Sequence, residues 1–126
     1  MNEIKNWIDR SNNIVIFTGA GISTESGIPD FRSPGGIWTK MSPIMFKDFL
    51  SSEANQIEAW KRKFVIDKDM EIAKPNIGHA AIANLYSKNK IIYILTQNID
   101  NLHHDSGIPN NKIIELHGNS TYAKCL

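Results

Sequence analysis

The feature that most constrains the fold is a short apolar run that ends on glycine. Ile14-Val15-Ile16-Phe17 is continuous and rich in β-branched residues, and Thr18-Gly19-Ala20-Gly21 follows at once. A strand shows its side chains alternately to two faces, so a run without alternation needs cover on both. Such strands belong to parallel sheets flanked by helices. Ile91-Ile92-Tyr93-Ile94-Leu95 has the same character, and Lys112-Ile113-Ile114-Glu115-Leu116 reads as a third strand. Helical spacing separates them. Ile4, Trp7 and Ile8 mark a first helix that ends near Ser11-Asn12-Asn13. Ile57, Trp60 and Phe64 mark a second, broken by Pro75, and Ile77, Ala81 and Leu85 a third. Strands separated by helices predict an α/β fold: a Rossmann-like, mostly parallel sheet with helices on both faces.

A chain of 126 residues is enough for one domain with a real core. Its net charge of +1 provides no field to steer it toward nucleic acid or an anionic membrane. No apolar run approaches the roughly 20 residues needed to span a bilayer, and the amphipathic N-terminus lacks the apolar stretch of a secretory signal. The single cysteine, Cys125, rules out an intrachain disulfide. These features fit a reducing cytoplasm.

From Ser26 to Pro43 the chain is dense in Gly, Pro and Ser. A long loop of this kind inside a compact domain is functional or disordered, and the embedded Phe31 and Trp38 argue for order and function. Upstream of it, a strand running into Gly19-Ala20-Gly21 has the context of a dinucleotide site. There, glycines let the backbone turn and approach a pyrophosphate beside a helix N-terminus. The usual fingerprint is incomplete, because Thr24 stands at the third glycine position. No second strand with a terminal acidic residue follows about 20 residues on. A plain dehydrogenase is therefore disfavoured; the pattern is a nucleotide-binding half with a lid inserted after the first turn.

At this point three motifs agree. Gly19-Ala20-Gly21-Ile22-Ser23 with Gly27-Ile28-Pro29-Asp30-Phe31-Arg32, then Thr96-Gln97-Asn98-Ile99-Asp100-Asn101-Leu102-His103, then Leu116-His117-Gly118-Asn119 stand in order across the chain. Together they resemble the sirtuin family, with Cys125 placed like its first zinc ligand. The resemblance implies a Rossmann-type domain that takes NAD as co-substrate, a small zinc module beginning about residues 120–126, and an acyl-lysine peptide in the cleft between them. In such enzymes the acyl oxygen attacks the nicotinamide ribose at C1′, nicotinamide leaves, and the acyl group, here acetyl, ends on ADP-ribose. The resemblance covers about the first half of such a catalytic domain, so the sheet is incomplete and its remaining cover is expected downstream of Leu126.

By position in the motifs, the resemblance implies these roles. Gly19, Ala20, Gly21 and Thr24 lie at the pyrophosphate, with Asp30, Phe31 and Arg32 of the lid covering the nicotinamide pocket, phosphate and ribose. Ile99 and Asp100 hold the carboxamide, Gln97 a ribose hydroxyl, and Asn98 the ribose and a pocket water. His117 is the base that activates a ribose hydroxyl. Such chemistry suits these residues: cleavage builds positive charge on the ribose in a dry pocket, and a closing lid excludes water. A later step needs a base near neutral pH, and histidine as a residue type works in that range.

Simpler roles compete. Asp100 also suits a helix N-cap before Asn101-Leu102-His103. Trp60 reads as core, and Lys61-Arg62-Lys63 as a solvated helix face. His79 reads as structural, and His103 and His104 as exposed or partly packed. Family members that prefer acidic acyl groups carry Tyr and Arg three residues apart on the helix after the lid. A gapless matching puts Trp60 and Lys63 there, which argues against a strong preference for acidic acyl groups. A noncatalytic NAD- or ADP-ribose-binding module and a mono-ADP-ribosyltransferase remain as alternatives. A serine hydrolase using Ser23 lacks the nucleophile-elbow pattern.

Overall fold

The computed structural model describes residues 2–125. Three parallel strands form one sheet in the order β1 (Ile14–Thr18), β2 (Ile91–Thr96), β3 (Ile113–Glu115). The expected strands are therefore present, in the expected parallel arrangement. Helix α1 (Asn2–Arg10) precedes β1, and a tight 3-10 turn over Ala20–Ser26 follows it. Helices α2 (Ile37–Lys40), α3 (Phe46–Ser51), α4 (Glu53–Ile72) and α5 (Ile77–Ser87) fill the crossover to β2. A short α6 (Leu102–Asp105) lies between β2 and β3.

Helices were expected on both faces of the sheet; among the described residues one face is covered. The core is Ile82 of α5 with Ile91, Ile94, Ile108 and Ile113, against which Ile14, Ile16 and Tyr86 pack. On the other face Val15, Phe17, Tyr93 and Ile114 are 42–61% exposed. A register shift explains the pattern in β2. Ile14 pairs with Ile91 but Val15 pairs with Tyr93, so Ile92 is an extra residue. Such a bulge flips the alternation and lets both Ile91 and Ile94 reach the core.

Both long helices lie where expected but bury different faces. In α5 the inward residues are His79, Ile82, Ala83 and Tyr86, a clean i, i+3, i+4, i+7 stripe, whereas Ile77 is 78% exposed. In α4, Ile57, Trp60 and Phe64 point outward, so Trp60 is not core. Its half-buried face instead carries Ala59, Arg62, Lys63, Ile66 and Asp67, and Lys63 is no solvated side chain. Helix α5 starts with a capping box. Asn76 accepts from the backbone N–H of Gly78 and His79, and His79 Nδ1 accepts from the Asn76 N–H. Asn76 also donates to Ile22 O at 2.7 Å, which ties the glycine turn to this helix.

Candidate active site

The sheet register decides where the motif residues meet. Thr18, Thr96 and Glu115 are the last residues of their strands, and they lie side by side. The backbone pairing runs one step further: Gln97 N–H donates to Thr18 O and Leu116 N–H to Thr96 O. Gly19, Gln97 and His117 therefore emerge together at the carboxyl edge of the sheet, where open α/β sheets bind ligands.

A cleft of about 400 Å3 opens there, lined by Gly19, Ala20, Gly21, Asp30, Phe31, Arg32, Trp38, Gln97, Asn98 and His117. Nine of the residues expected at the cofactor are thus brought together, and Trp38 joins them. Thr24 is not among them; its hydroxyl turns back to Gly21 O. Ile99 lines an adjoining cleft. Asp100 is buried behind Asn98.

The glycines at the cleft have an external reason to be glycine. Gly19 has an extended backbone, φ −138° and ψ −176°, so no turn requires it. A Cβ built on Gly19 or Gly21 meets nothing within 4 Å, so no internal packing requires it either. What a side chain at these positions would fill is the cleft.

Asp30 holds the lid together. Its carboxylate accepts from the N–H groups of Arg32 and Ser33 and from Ser33 Oγ, and these bonds keep it below the usual carboxylate range. Its carbonyl accepts from Ile37 N–H, and a Cβ on Gly36 would come within 2.7 Å of that oxygen. Glycine at position 36 is therefore a close-approach requirement. The fold-back sets Phe31 against Trp38, with ring centroids 5.1 Å apart.

Beneath the cleft lies a hub whose importance sequence reading missed. Ser23 is 1% exposed; its Oγ donates to Asp100 Oδ2 at 2.6 Å and accepts from Asn98 Nδ2 at 3.2 Å. With its proton committed to the carboxylate, Ser23 can only accept from Asn98. That fixes the amide orientation and leaves Asn98 Oδ1 for a ligand. Asp100 Oδ1 accepts from Leu102 N–H, so the capping reading also holds, although Asn101 is the residue at the cap position.

Among the described residues one hydrogen bond fixes His117. Its Nδ1 lies 3.0 Å from Gln97 O, and a carbonyl only accepts, so Nδ1 carries the proton. The neutral ring then has its lone pair on Nε2. His103, read as exposed or partly packed, is in fact 2% exposed, with Nε2 at 2.8 Å from Thr18 Oγ1. The reason is register: Thr18 and Thr96 bring paired hydroxyls under α6, and His103 closes on them. His79 packs edge-on to it, with centroids 5.1 Å apart.

Burial, and then the neighbouring His79, push His103 down to about 4. The unfolded chain therefore binds more protons than the folded one between its ordinary value of about 6.5 and 4. The stabilisation is complete above that window and lost as the pH falls through it. In the full-length protein the urea midpoint should drop between pH 7 and pH 5, and His103→Gln should shrink the drop. An unchanged drop would assign the acid sensitivity to other groups.

Comparison with known proteins gives the same picture. A family model described as "Sir2 family" matches residues 19–126. The NAD-dependent protein deacetylase of Rhodopseudomonas palustris is 49% identical over the whole chain, which spans 50% of that protein. That of Thermodesulfovibrio yellowstonii is 45% identical, over 94% of the chain and 46% of the protein. A solved Sir2 with a deacetylated p53 peptide and 3′-O-acetyl ADP ribose is 41% identical, with a TM-score of 0.81 over 95% of this chain and 48% of that one. A Sir2 homologue in an ADP ribose complex reaches 0.84 at 32% identity, over 94% and 47%. The chain spans about half the length of the curated relatives it matches. With three motifs meeting at one sheet edge and a family model running from the first glycine of the cleft to the last residue, the chain belongs to the Sir2 family.

Proposed function

We propose that the full-length protein removes acetyl groups from protein lysine using NAD, giving nicotinamide and O-acetyl-ADP-ribose, and that this chain carries the nicotinamide end of the site. The observation that carries the reading is the cleft at the carboxyl edge, with Gly19 and Gly21 free of internal constraint and the Nε2 lone pair of His117 across from them. Bound NAD would supply a ribose carbon that releases nicotinamide to an incoming acyl oxygen. Gly19, Ala20 and Gly21 let the pyrophosphate approach the backbone. Phe31 and Trp38 cover the pocket and exclude water. Arg32 lies toward phosphate and ribose, and Gln97 toward a ribose hydroxyl. Asn98 Oδ1 orients the ribose, and His117 takes the proton of a ribose hydroxyl. Asp30 acts through the loop it ties, across the lid at about residues 26–43, and Asp100 acts through Ser23 and Asn98.

Cys125 is exposed and stands as the first ligand of a structural zinc site in the complete protein, whose module begins about residue 120. Among the described residues no group of three or more His, Cys, Asp or Glu could hold a metal, so the donor set present does not fit zinc. No described helix is long and apolar enough to cross a membrane; we place the protein in the cytoplasm.

The test is full-length protein with NAD and an acetyl-lysine peptide. Nicotinamide, deacetylated peptide and acetyl-ADP-ribose should appear in equal amounts. ADP-ribose transferred to protein instead would favour the transferase reading, and cofactor binding without turnover the noncatalytic one. Gly21→Ala separates site from scaffold. Its new methyl should weaken ADP-ribose binding about 10–100-fold, as overpacking a filled site does, while the melting temperature holds. Unchanged affinity would move the pyrophosphate elsewhere.

A further inference from the structure

The two loops that meet at the cleft are held in different ways. The loop after β2 has its own anchor, because Asp100 accepts from Ser23 Oγ and from Leu102 N–H. The loop after β3 is tied to it at two backbone points, Leu116 N–H to Thr96 O and Ser120 N–H to Ile99 O. Between those points lie His117 and Gly118, and Gly118 turns through the left-handed region at φ 78°. A side chain closes that turn. Asn119 Nδ2 donates back to Glu115 Oε1 at 2.6 Å and across to Asn101 Oδ1 at 2.9 Å. Its Oδ1 accepts from Thr121 N–H at 2.9 Å. The network has one direction, since a carboxylate stands at each end and only accepts. Asp105 Oδ1 takes Asn101 Nδ2 at 2.8 Å, so Asn101 turns its oxygen to Asn119. Glu115 Oε1 takes Asn119 Nδ2 and lies 3.0 Å from His104 Nε2 of α6. Both amides therefore have one allowed orientation, and both Nδ2 protons of Asn119 are used. Asn101, His104, Glu115 and Asn119 are all half-buried, and none of them lines the first cleft.

We propose that Asn119 is a positioning residue for His117: its amide braces the loop of the base against Glu115 and against the loop that carries Asn98 and Asp100. The inference rests on the deacetylase reading, since it takes His117 to be the base of that reaction. His117 is exposed, and its one described side-chain bond goes to Gln97 O. The place of Nε2 is therefore set by the backbone around it as much as by the ring. Without the Asn119 amide that backbone keeps its two end bonds but is free to rotate between them. A reacting group displaced by about 1 Å loses about 10²-fold in rate. Asn98 and Asp100 stay in place, because Ser23 and Leu102 N–H hold them independently of Asn119. The brace thus acts on the step that uses the base, not on the step that expels nicotinamide.

The experiment uses full-length protein, NAD and an acetyl-lysine peptide. Asn119→Ala should lower kcat for deacetylation about tenfold, part of the loss of a fully misplaced group, with KM and labelled nicotinamide exchange within about twofold. Asn119→Asp keeps the acceptor for Thr121 N–H but sets a carboxylate against Glu115, so it should lose more. Adding Glu115→Gln to it supplies a donor across that contact and should recover part of the difference. In a His117→Ala background, Asn119→Ala should cost no further activity, which a merely structural role would not produce. Equal falls in exchange and turnover overturn the inference, and so do losses that add to that of His117→Ala. Normal kcat in both Asn119 variants overturns it as well. A wild-type protein without NAD-dependent deacetylation overturns the deacetylase reading itself. One that deacetylates with a kcat indifferent to Asn119 overturns only the brace.

Discussion

His117→Ala in the full-length protein should lower deacetylation about 10²–10⁴-fold, the usual contribution of a general base, while leaving the fold and nicotinamide exchange largely in place. The fold should survive because the ring is exposed and makes one described bond, to Gln97 O. Losing that bond costs about 1 kcal/mol. On the proposed reading exchange should survive, because that reading gives the expulsion of nicotinamide to Asn98 and the covered pocket, before a ribose hydroxyl needs its proton removed. Gln97 O can only accept, so Nε2 is the basic atom. His117→Asn puts an amide N–H where Nδ1 stood, so it keeps a donor for that carbonyl but no comparable base, and it should be as inactive as the alanine variant. Peptide turnover and exchange of labelled nicotinamide into NAD, measured on the same preparations, check both claims. Near-normal deacetylation in a folded variant would remove His117 from the chemistry.

Much of this site could be read in the sequence because strand ends and motif ends coincide. Glycine after Phe17-Thr18, Gln97-Asn98 after Thr96 and His117 after Leu116 follow three parallel strands, and parallel register brings such residues to one edge. What the residues do to one another was less legible. Asp30 sits in a cofactor motif, yet its carboxylate is engaged by Ser33 and the Arg32 N–H. Thr24 sits in the same stretch and turns back on its own backbone, because a 3-10 turn stands where a helix start was expected. The buried face of α4 was misread for a physical reason. Its apolar residues Ile57, Trp60 and Phe64 keep helical spacing but face outward, while a charged stripe lines the cleft. Hydrophobic periodicity finds the helix but not which side meets a ligand. His103 was missed because a polar residue between Asn101 and Asp105 looks solvated until the Thr18–Thr96 pair beneath it is known.

Asp100→Asn should cost little stability and yet lower both deacetylation and nicotinamide exchange about 10²-fold, the penalty of a misplaced reacting group. The wild-type chain of bonds has one direction. The Asp100 carboxylate only accepts, Ser23 must give it the hydroxyl proton, and Ser23 is then an acceptor for Asn98 Nδ2. An amide at position 100 can still accept from Leu102 N–H through one oxygen, so the start of α6 is kept. Its other end now presents N–H groups to Ser23. The hydroxyl proton loses its acceptor, and Ser23 Oγ must now accept from two amides at once, which loosens the hold that fixed the orientation of Asn98. Asp100→Ala is the harsher control. It leaves Leu102 N–H and Ser23 Oγ–H unsatisfied in a buried place, at about 1–3 kcal/mol for each group. Ser23→Ala should act as the isosteric amide does, since it also releases Asn98 without touching α6. The pattern separates this hub from His117, because exchange falls here and survives there. Measure exchange, turnover and thermal unfolding for the three variants. If folded Asp100→Asn exchanges nicotinamide normally and only its peptide affinity changes, the hub does not reach the ribose and Asn98 is held by something other than Ser23.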